Sequence, residues 1–512
     1  MNKVEFPSVQ QPGLTLILGL GETGMAAARW CLRHGVSLRL ADTRSTTDAI
    51  DRLQAGSNVS LDARLGDEAL ARETLSGVTR VVLSPGLCLN EAPLAGFLAL
   101  AREQGAEIIG EIELFALALG DLARDGYTPK LLAVTGTNGK TTVTALTRRL
   151  VEASGLTAVA AGNISPPALD ALMSALDRND LPQVWVLELS SFQLESTFSL
   201  APDAAVVLNV TQDHLDWHGS MDAYAAAKAR VLAKAKRALV NRDDPVVAAM
   251  VGDVRAPHVR SFGRGMPEFE GDFGLEESHG VVWLAAVPEL EPEPQTSVRR
   301  RRDAEPAQRA NAVAQRLMPA DALKLRGRHN ALNALASLAL AQAAGGGLAP
   351  MLHALRDYAG EPHRCEMVRN VTGIDFVDDS KGTNVGATVA ALEGMGRPVV
   401  LIAGGLGKGQ DFAPLATAIR RYAKAVVLIG QDAAIIRKAV DDSASGGGHI
   451  TLMDATSMDD AVRRAAELAV AGDVVLLSPA CASMDMFRNY ADRGHRFAEA
   501  VDELALDRGE VA

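Results

Sequence analysis

The chain reads as an α/β protein of three domains, each built on a largely parallel sheet. Three separate segments run from an apolar strand into a glycine loop, with strand and helix patterns alternating around them. The strands are apolar without alternation, as strands covered on both faces are. At 512 residues the chain exceeds one core, and domains of roughly 150 residues each are the natural division.

The first segment is Leu14–Leu18 running into Gly19-Leu20-Gly21-Glu22-Thr23-Gly24. Asp42 follows at the end of the next strand, Leu38–Leu40. Alone, this spacing says dinucleotide binding with Asp42 on a ribose. Its physical content is broader: a helix N-terminus that accepts a pyrophosphate. UDP satisfies it as well as NAD.

The second segment is the most specific. Leu131–Thr135 leads into Gly136-Thr137-Asn138-Gly139-Lys140-Thr141-Thr142, and helical periodicity follows from Val143 to Val151. Strand, loop and helix in that order make a phosphate cradle of backbone N–H groups. Lys140 adds a point charge, and a threonine hydroxyl reaches a Mg ion. The spacing departs from G-x-x-x-x-G-K-[ST], because Val134 stands where the first glycine belongs. Glu188 ends the strand Val184–Leu187, where a carboxylate suits Mg; a helix cap is the alternative. After the strand Ala205–Leu208 comes a loop with Asp213, His214, Asp216 and His218. Zinc is the weaker reading there, since the two histidines sit in a loop rather than on a helix. Lys228 lies in the Ala-rich helix Tyr224–Ala229, and its spacing alone reads as a solvated helical lysine.

Met266 to Ala320 differs in composition. A hairpin is expected between Phe273 and Ala286, with Gly280 in its turn. The remainder, with Glu289–Pro294 and Arg299–Arg302, reads as a polar, flexible insertion. Beyond it, Gly327-Arg328-His329-Asn330 opens a helix with Asn330 and Asn333 on one face, suiting capping or ligand contact.

The last third carries Pro362-His363-Arg364, then Asp378 to Asn384 (DDSKGTN), then the third glycine loop. That loop runs from the strand Pro398–Ala403 into Gly404-Gly405-Leu406-Gly407-Lys408-Gly409. Ser478 to Phe487 (SPACASMDMF) closes the set after the strand Val474–Leu477. Lysines and hydroxyls near strand ends suit a small molecule bearing carboxylates.

Composition bounds the rest. A net charge of −12 argues against a broad nucleic-acid surface. The 4 cysteines are scattered with no C-x-x-C, which suits a reducing compartment. No signal-peptide core and no run long enough to span a bilayer is apparent, so a cytoplasmic protein is expected.

The motifs GTNGKTT, Glu188, DHLDWHG, the lysine helix, GRHN and DDSKGTN occur in that order. Together they resemble the Mur ligases, which build the peptide stem of bacterial cell-wall precursors. GLGETG, ELSSFQLE and SPACASMDMF narrow the resemblance to the member that joins D-glutamate to UDP-N-acetylmuramoyl-L-alanine. The resemblance implies a Rossmann-like UDP-substrate domain over residues 1–111. It implies a central P-loop-type ATPase domain over 112–361, with the insertion at about 266–320, and a Rossmann-like C-terminal domain over 362–512. The implied reaction uses ATP to phosphorylate the L-alanyl carboxylate. The amine of glutamate then attacks the acyl phosphate. Thr141 and Glu188 match ligands of one Mg ion and His214 of a second. Lys228 matches a lysine carbamylated by CO2 that supports Mg, against the solvated reading above. Lys140, Lys228, His214 and Glu188 are the implied catalytic set. Gly136 to Thr142, Asn333, Arg364 and Asp379 match ATP contacts. Gly21, Thr23, Asp42, Thr43, Arg44, Ser84, Pro85, Gly86 and Asn163 match the UDP-substrate side. Lys381, Thr383, Lys408 and Ser483 match the glutamate pocket. A monomer without nucleic-acid partners is expected.

Two positions depart from the family pattern: Gly382, often Ala, and Tyr490, often Phe. Three other readings compete. A different ATP-dependent amide ligase shares the central chemistry but not GLGETG and SSFQL. A non-catalytic nucleotide binder has no need of Lys140, Glu188, His214 and Lys228 together. An NAD oxidoreductase leaves GTNGKTT unexplained.

Overall fold

A computed structural model describes residues 5–10, 12–55, 61–289, 308–325, 327–443 and 450–510. Three sheets follow one another along the chain. The first holds β1 (Leu14–Leu18), β2 (Leu38–Asp42), β3 (Asp62–Leu65), β4 (Val78–Leu83) and β5 (Glu107–Ile109), in the order β3-β2-β1-β4-β5. All its pairings are parallel. The order reverses at β1, so the loops after β1 and β4 diverge and leave a crevice at their C-terminal ends.

The second sheet contains β6 (Lys130–Thr135), β7 (Ala158–Gly162), β8 (Val184–Glu188), β9 (Ala204–Val207), β10 (Arg237–Asn241), β11 (Val259–Gly263), β12 (Phe273–Ser278), β13 (Val281–Ala286) and β14 (Gln315–Pro319). Their order is β14-β13-β12-β11-β10-β9-β6-β8-β7. Pairing is parallel from β7 to β12 and antiparallel from β12 to β14. Every residue of β8 and β9 is buried, which explains their unbroken apolar runs. The helix Arg328–Ala343 is buried along most of its length and packs on the helix Lys140–Ala153.

The third sheet holds β15 (Glu366–Val371), β16 (Ile374–Asp378), β17 (Val399–Gly404), β18 (Ala423–Ile429), β19 (Thr451–Asp454) and β20 (Val474–Leu477). Its order is β15-β16-β20-β17-β18-β19, parallel except for the β15–β16 pair.

The expected hairpin is β12–β13, with Ser278 opposite Val281 and Gly280 at φ 76°. The flanking polar stretch is a correction in part. Residues 290–307, with most of the Glu/Pro run and all four arginines, lie outside the described residues. Beyond them the chain is structural: β14 extends the sheet, and Arg309 is 7% exposed. Arg309 Nη1 donates to Asp272 Oδ1 at 2.6 Å and to Glu270 O, while Nη2 donates to Val254 O. Composition hid this, because a buried ion pair reads as polar sequence. Arg309→Ala strands the Asp272 carboxylate in the interior, and about 3–5 kcal/mol of stability should be lost. A lowered urea midpoint for the central domain checks this; an unchanged midpoint would mean that water reaches Asp272.

Candidate active site

The phosphate loop forms where β6 stops at Thr135 and the helix begins at Lys140. Gly139 caps that helix at φ 83°, and a Cβ there would lie 2.7 Å from Asn333 Oδ1. Glycine is therefore required on two counts. Thr137 Oγ1 lies 3.1 Å from the Tyr224 hydroxyl and accepts from Thr211 N at 3.0 Å. The Asn138 peptide is held on both sides by Asn209, with N donating to Oδ1 at 2.8 Å and Nδ2 donating to O at 3.1 Å. Lys140 Nζ donates to Gly136 O at 2.9 Å and Thr137 O at 2.8 Å. Burial holds its pKa below the usual lysine value, against the pull of Glu188 and Asp213.

Glu188 sits opposite Val134 in the β6–β8 register, so its side chain arrives beside the loop. It is 2% exposed. Asn163, just after β7, donates through Nδ2 to Glu188 Oε1 at 2.8 Å and through its peptide N to Glu188 O at 2.8 Å. Glu188 Oε2 is buried without a hydrogen-bond partner among the described residues. An unpaired carboxylate oxygen at that depth is costly unless a cation meets it.

Lys228 corrects the solvated reading: it is 1% exposed. Its Nζ donates to Gly136 O at 3.0 Å and lies 4.4 Å from the centroid of the Tyr224 ring. Burial drives its pKa well below the lysine value, and neighbouring Lys140 pushes the same way. His214 is exposed, in the left-handed region at φ 53°, with its ring edge-on to Phe192.

Three cavities open around this core. One, of about 550 Å³, is lined by the loop from Thr137 to Thr141, Asn163, Glu188, Asp213 and Arg364, and reaches Glu22 of the N-terminal domain. A second, of about 280 Å³, has Asn138, Gly139, Thr142, Asn333, Arg364 and Asp379 on its walls. The third, of about 490 Å³, gathers Lys381, Thr383, Lys408 and Ser483 beside Asp213 and His214. Lys381 lines all three. Burial lowers its pKa to about 8, helped by Arg364 and Lys140 and opposed by Glu188. Its Nζ lies 3.7 Å from the centroid of the Tyr490 ring. Arg364 Nη2 donates to Thr141 Oγ1 at 2.5 Å, bridging the central and C-terminal domains. Burial raises the Asp379 pKa to about 7, partly offset by the Ser478 hydroxyl that donates to its Oδ2 at 2.6 Å.

On the N-terminal side, Gly21, Thr23, Asp42, Thr43, Arg44, Ser84, Pro85 and Gly86 gather at the C-terminal ends of β1, β2 and β4. Both Asp42 oxygens are engaged: Oδ2 accepts from Leu20 N at 2.7 Å, and both accept from the Arg44 guanidinium. Ser84 Oγ donates to Gly19 O at 2.8 Å. Asp42 and Ser84 thus hold the shape of the glycine loop through Leu20 N and Gly19 O. One link had no sequence signal: Trp217 Nε1 donates to Leu87 O at 3.3 Å, tying the His214 loop to the N-terminal domain. Asn384, which closes DDSKGTN, and Asn209, directly after the strand Ala205–Leu208, are further site residues that the motifs did not single out.

Family models match the chain in three stretches. The family model for the Mur ligase MurD-like N-terminal domain matches residues 14–110, that for the Mur ligase middle domain 134–341, and that for the glutamate ligase domain 363–481. The UDP-N-acetylmuramoylalanine–D-glutamate ligase of Bordetella bronchiseptica is 60% identical over 516 residues, covering 100% of both chains. The same-named protein of Burkholderia cenocepacia is 51% identical over 508 residues, covering 98% of this chain and 99% of its own. Among solved structures, UDP-N-acetylmuramate-alanine ligase MurC from Thermotoga maritima shares the fold at a TM-score of 0.54 and 18% identity, over 96% of this chain and 100% of its own. MurF from Acinetobacter baumannii does so at 0.54 and 17%, over 80% and 88%.

Proposed function

This chain belongs to the Mur ligase family, and we propose that it works as follows. It is an ATP-dependent ligase that adds D-glutamate to UDP-N-acetylmuramoyl-L-alanine in peptidoglycan precursor synthesis. The observation that best supports the residue assignments is the meeting of three cavities at Lys381: a phosphate-loop cleft, a nucleotide pocket and a lysine-rich pocket.

ATP lies along the phosphate loop, with its base and ribose towards Asn333 and Asp379. Lys140 and the loop N–H groups neutralise charge on the phosphates as the γ-phosphoryl passes to the L-alanyl carboxylate. Arg364, already seated on Thr141, brings the C-terminal domain onto the transferring group. Thr141, Glu188 and His214 hold Mg, and the unpaired Glu188 oxygen fits that use. Bound Mg supplies charge neutralisation at the phosphates. We assign two ions, and a carbamate on Lys228 that completes their support. Gly21, Thr23, Asp42 to Arg44, Ser84 to Gly86 and Asn163 hold the UDP-linked substrate. Lys381, Thr383, Lys408 and Ser483 take the carboxylates of D-glutamate. Its amine forms the new C–N bond at the acyl carbon, and the tetrahedral intermediate collapses by breaking the C–O bond to phosphate. Carboxylate recognition by lysines and hydroxyls orients the amine as well as binding it.

No helix among the described residues is long and apolar enough to cross a membrane. We place the enzyme in the cytoplasm as a monomer. The deciding experiment is phosphate release from ATP with Mg and UDP-N-acetylmuramoyl-L-alanine, comparing D-glutamate, L-glutamate, meso-diaminopimelate and no amino acid. Release that requires D-glutamate, with the UDP-dipeptide seen by mass, is expected. Release with another amino acid would keep the chemistry and change the substrate. None at all from folded protein would remove the ligase reading.

A further inference from the structure

Asn384 stands where three loops meet, and it is 6% exposed. Its Oδ1 accepts from Ala387 N at 2.9 Å, capping the helix Val385–Met395. The same side chain forms a reciprocal amide pair with Asn138 of the phosphate loop. Asn138 Nδ2 donates to Asn384 Oδ1 at 3.2 Å, and Asn384 Nδ2 donates to Asn138 Oδ1 at 3.0 Å. Asn384 Nδ2 also reaches Asp213 Oδ2 at 3.3 Å, next to His214.

The contacts continue on both sides. Gln410 Oε1 accepts from Val385 N at 3.0 Å, and its Nε2 donates to Gly407 O at 3.0 Å, beside Lys408. On the far side, the Asn138 peptide is gripped by Asn209. A run of amide contacts therefore joins the lysine-rich pocket to the phosphate loop across the domain boundary. Its members are neutral. An aspartate at either end would set a carboxylate against Asp213 and against the loop that must receive phosphates.

We propose that the Asn384–Asn138 pair is a closure clasp, with Asn384 as a positioning residue. The pair forms as the C-terminal domain seats on the phosphate loop. It sets the pocket for the incoming amino acid within reach of the phosphorylated carboxylate. Two hydrogen bonds of opposite sense fix both the separation and the rotation of the loops, which a single contact does not. The assignment rests on the ligase reaction proposed above.

Asn384→Ser separates this role from helix capping, because serine caps as well as asparagine but does not reach Asn138. The melting temperature should move by less than about 2 °C. KM for ATP should change little, while kcat/KM for D-glutamate should fall about tenfold or more. Adding Asn384→Ser should cost clearly less in the Asn138→Ala background than in wild type, since the two share the amide pair and only the Asn384–Asp213 contact remains to be lost. Wild-type kinetics in Asn384→Ser, a parallel loss of stability and of every kinetic constant, or additive effects in the double variant would each overturn the clasp. X-ray scattering gives a readout independent of turnover. With a non-hydrolysable ATP analogue and D-glutamate, Asn384→Ser should stay more extended than wild type. Identical curves would overturn the clasp even if the ligase reaction stands, whereas failure of wild type to release phosphate would indict the reaction alone.

Discussion

Lys228→Ala is expected to lose about a thousandfold in kcat, and millimolar formate or acetate to restore part of it. The reason begins with burial. An ammonium at 1% exposure, beside Lys140, is destabilised twice, so the neutral amine is favoured well below the usual lysine pKa. A neutral amine is the form that adds to CO2, giving a carbamate and releasing one proton. That change would put an anion beside Lys140, at the Gly136 end of the phosphate loop. Alanine leaves a space that a small carboxylate can enter, carrying the same charge. A side chain needed only for packing would not be rescued by carboxylates. Purging CO2 from the buffers should slow the wild-type enzyme and leave Lys228→Ala unaffected. Full activity in the alanine variant would sink the carbamate assignment.

What the sequence disclosed, and what it hid, follows from the range of each interaction. The loop from Gly136 to Thr142 was legible because its strand, glycines, lysine and helix are contiguous, and a phosphate site needs them contiguous. Glu188 was legible by position, since parallel strands deliver their C-terminal ends to one edge. Lys228 was not legible from its spacing. Its helix, Met221–Ala233, looks solvated along Tyr224–Ala229, yet it packs on β9, β10 and the short helix Ser191–Glu195. Arg309 was hidden for the opposite reason, as a buried cation inside a stretch of polar composition. The Asn138–Asn384 pair spans 246 residues, beyond anything periodicity or spacing reports. The resemblance to the Mur ligases supplied Lys228 where residue patterns alone pointed to solvent.

Glu188→Gln should lower kcat by about a hundredfold or more at ordinary Mg, with part of the loss recovered at high Mg. Glutamine keeps the volume of the side chain and the acceptor for Asn163 Nδ2, so the loop should hold its shape. What it removes is the charge on Oε2, the buried oxygen with no protein partner among the described residues. In metal-free protein Lys140 and Lys381 offset that charge only in part, because buried Oε2 has no hydrogen-bond partner among the described residues. Without Mg, the glutamine variant should therefore melt at the same temperature as wild type or higher. With saturating Mg the order should reverse, since only wild type gains the full stabilisation of a bound cation. Asn163→Ala supplies a graded control. It leaves the Glu188 charge but frees its rotation, and apparent Mg affinity should fall about 10–100-fold. A Glu188→Gln protein that melts lower than wild type in chelator, with no Mg dependence in its defect, would mark Glu188 as a packing residue. Stability that falls while activity rises, or the reverse, separates a group kept for its ligand from one kept for the fold.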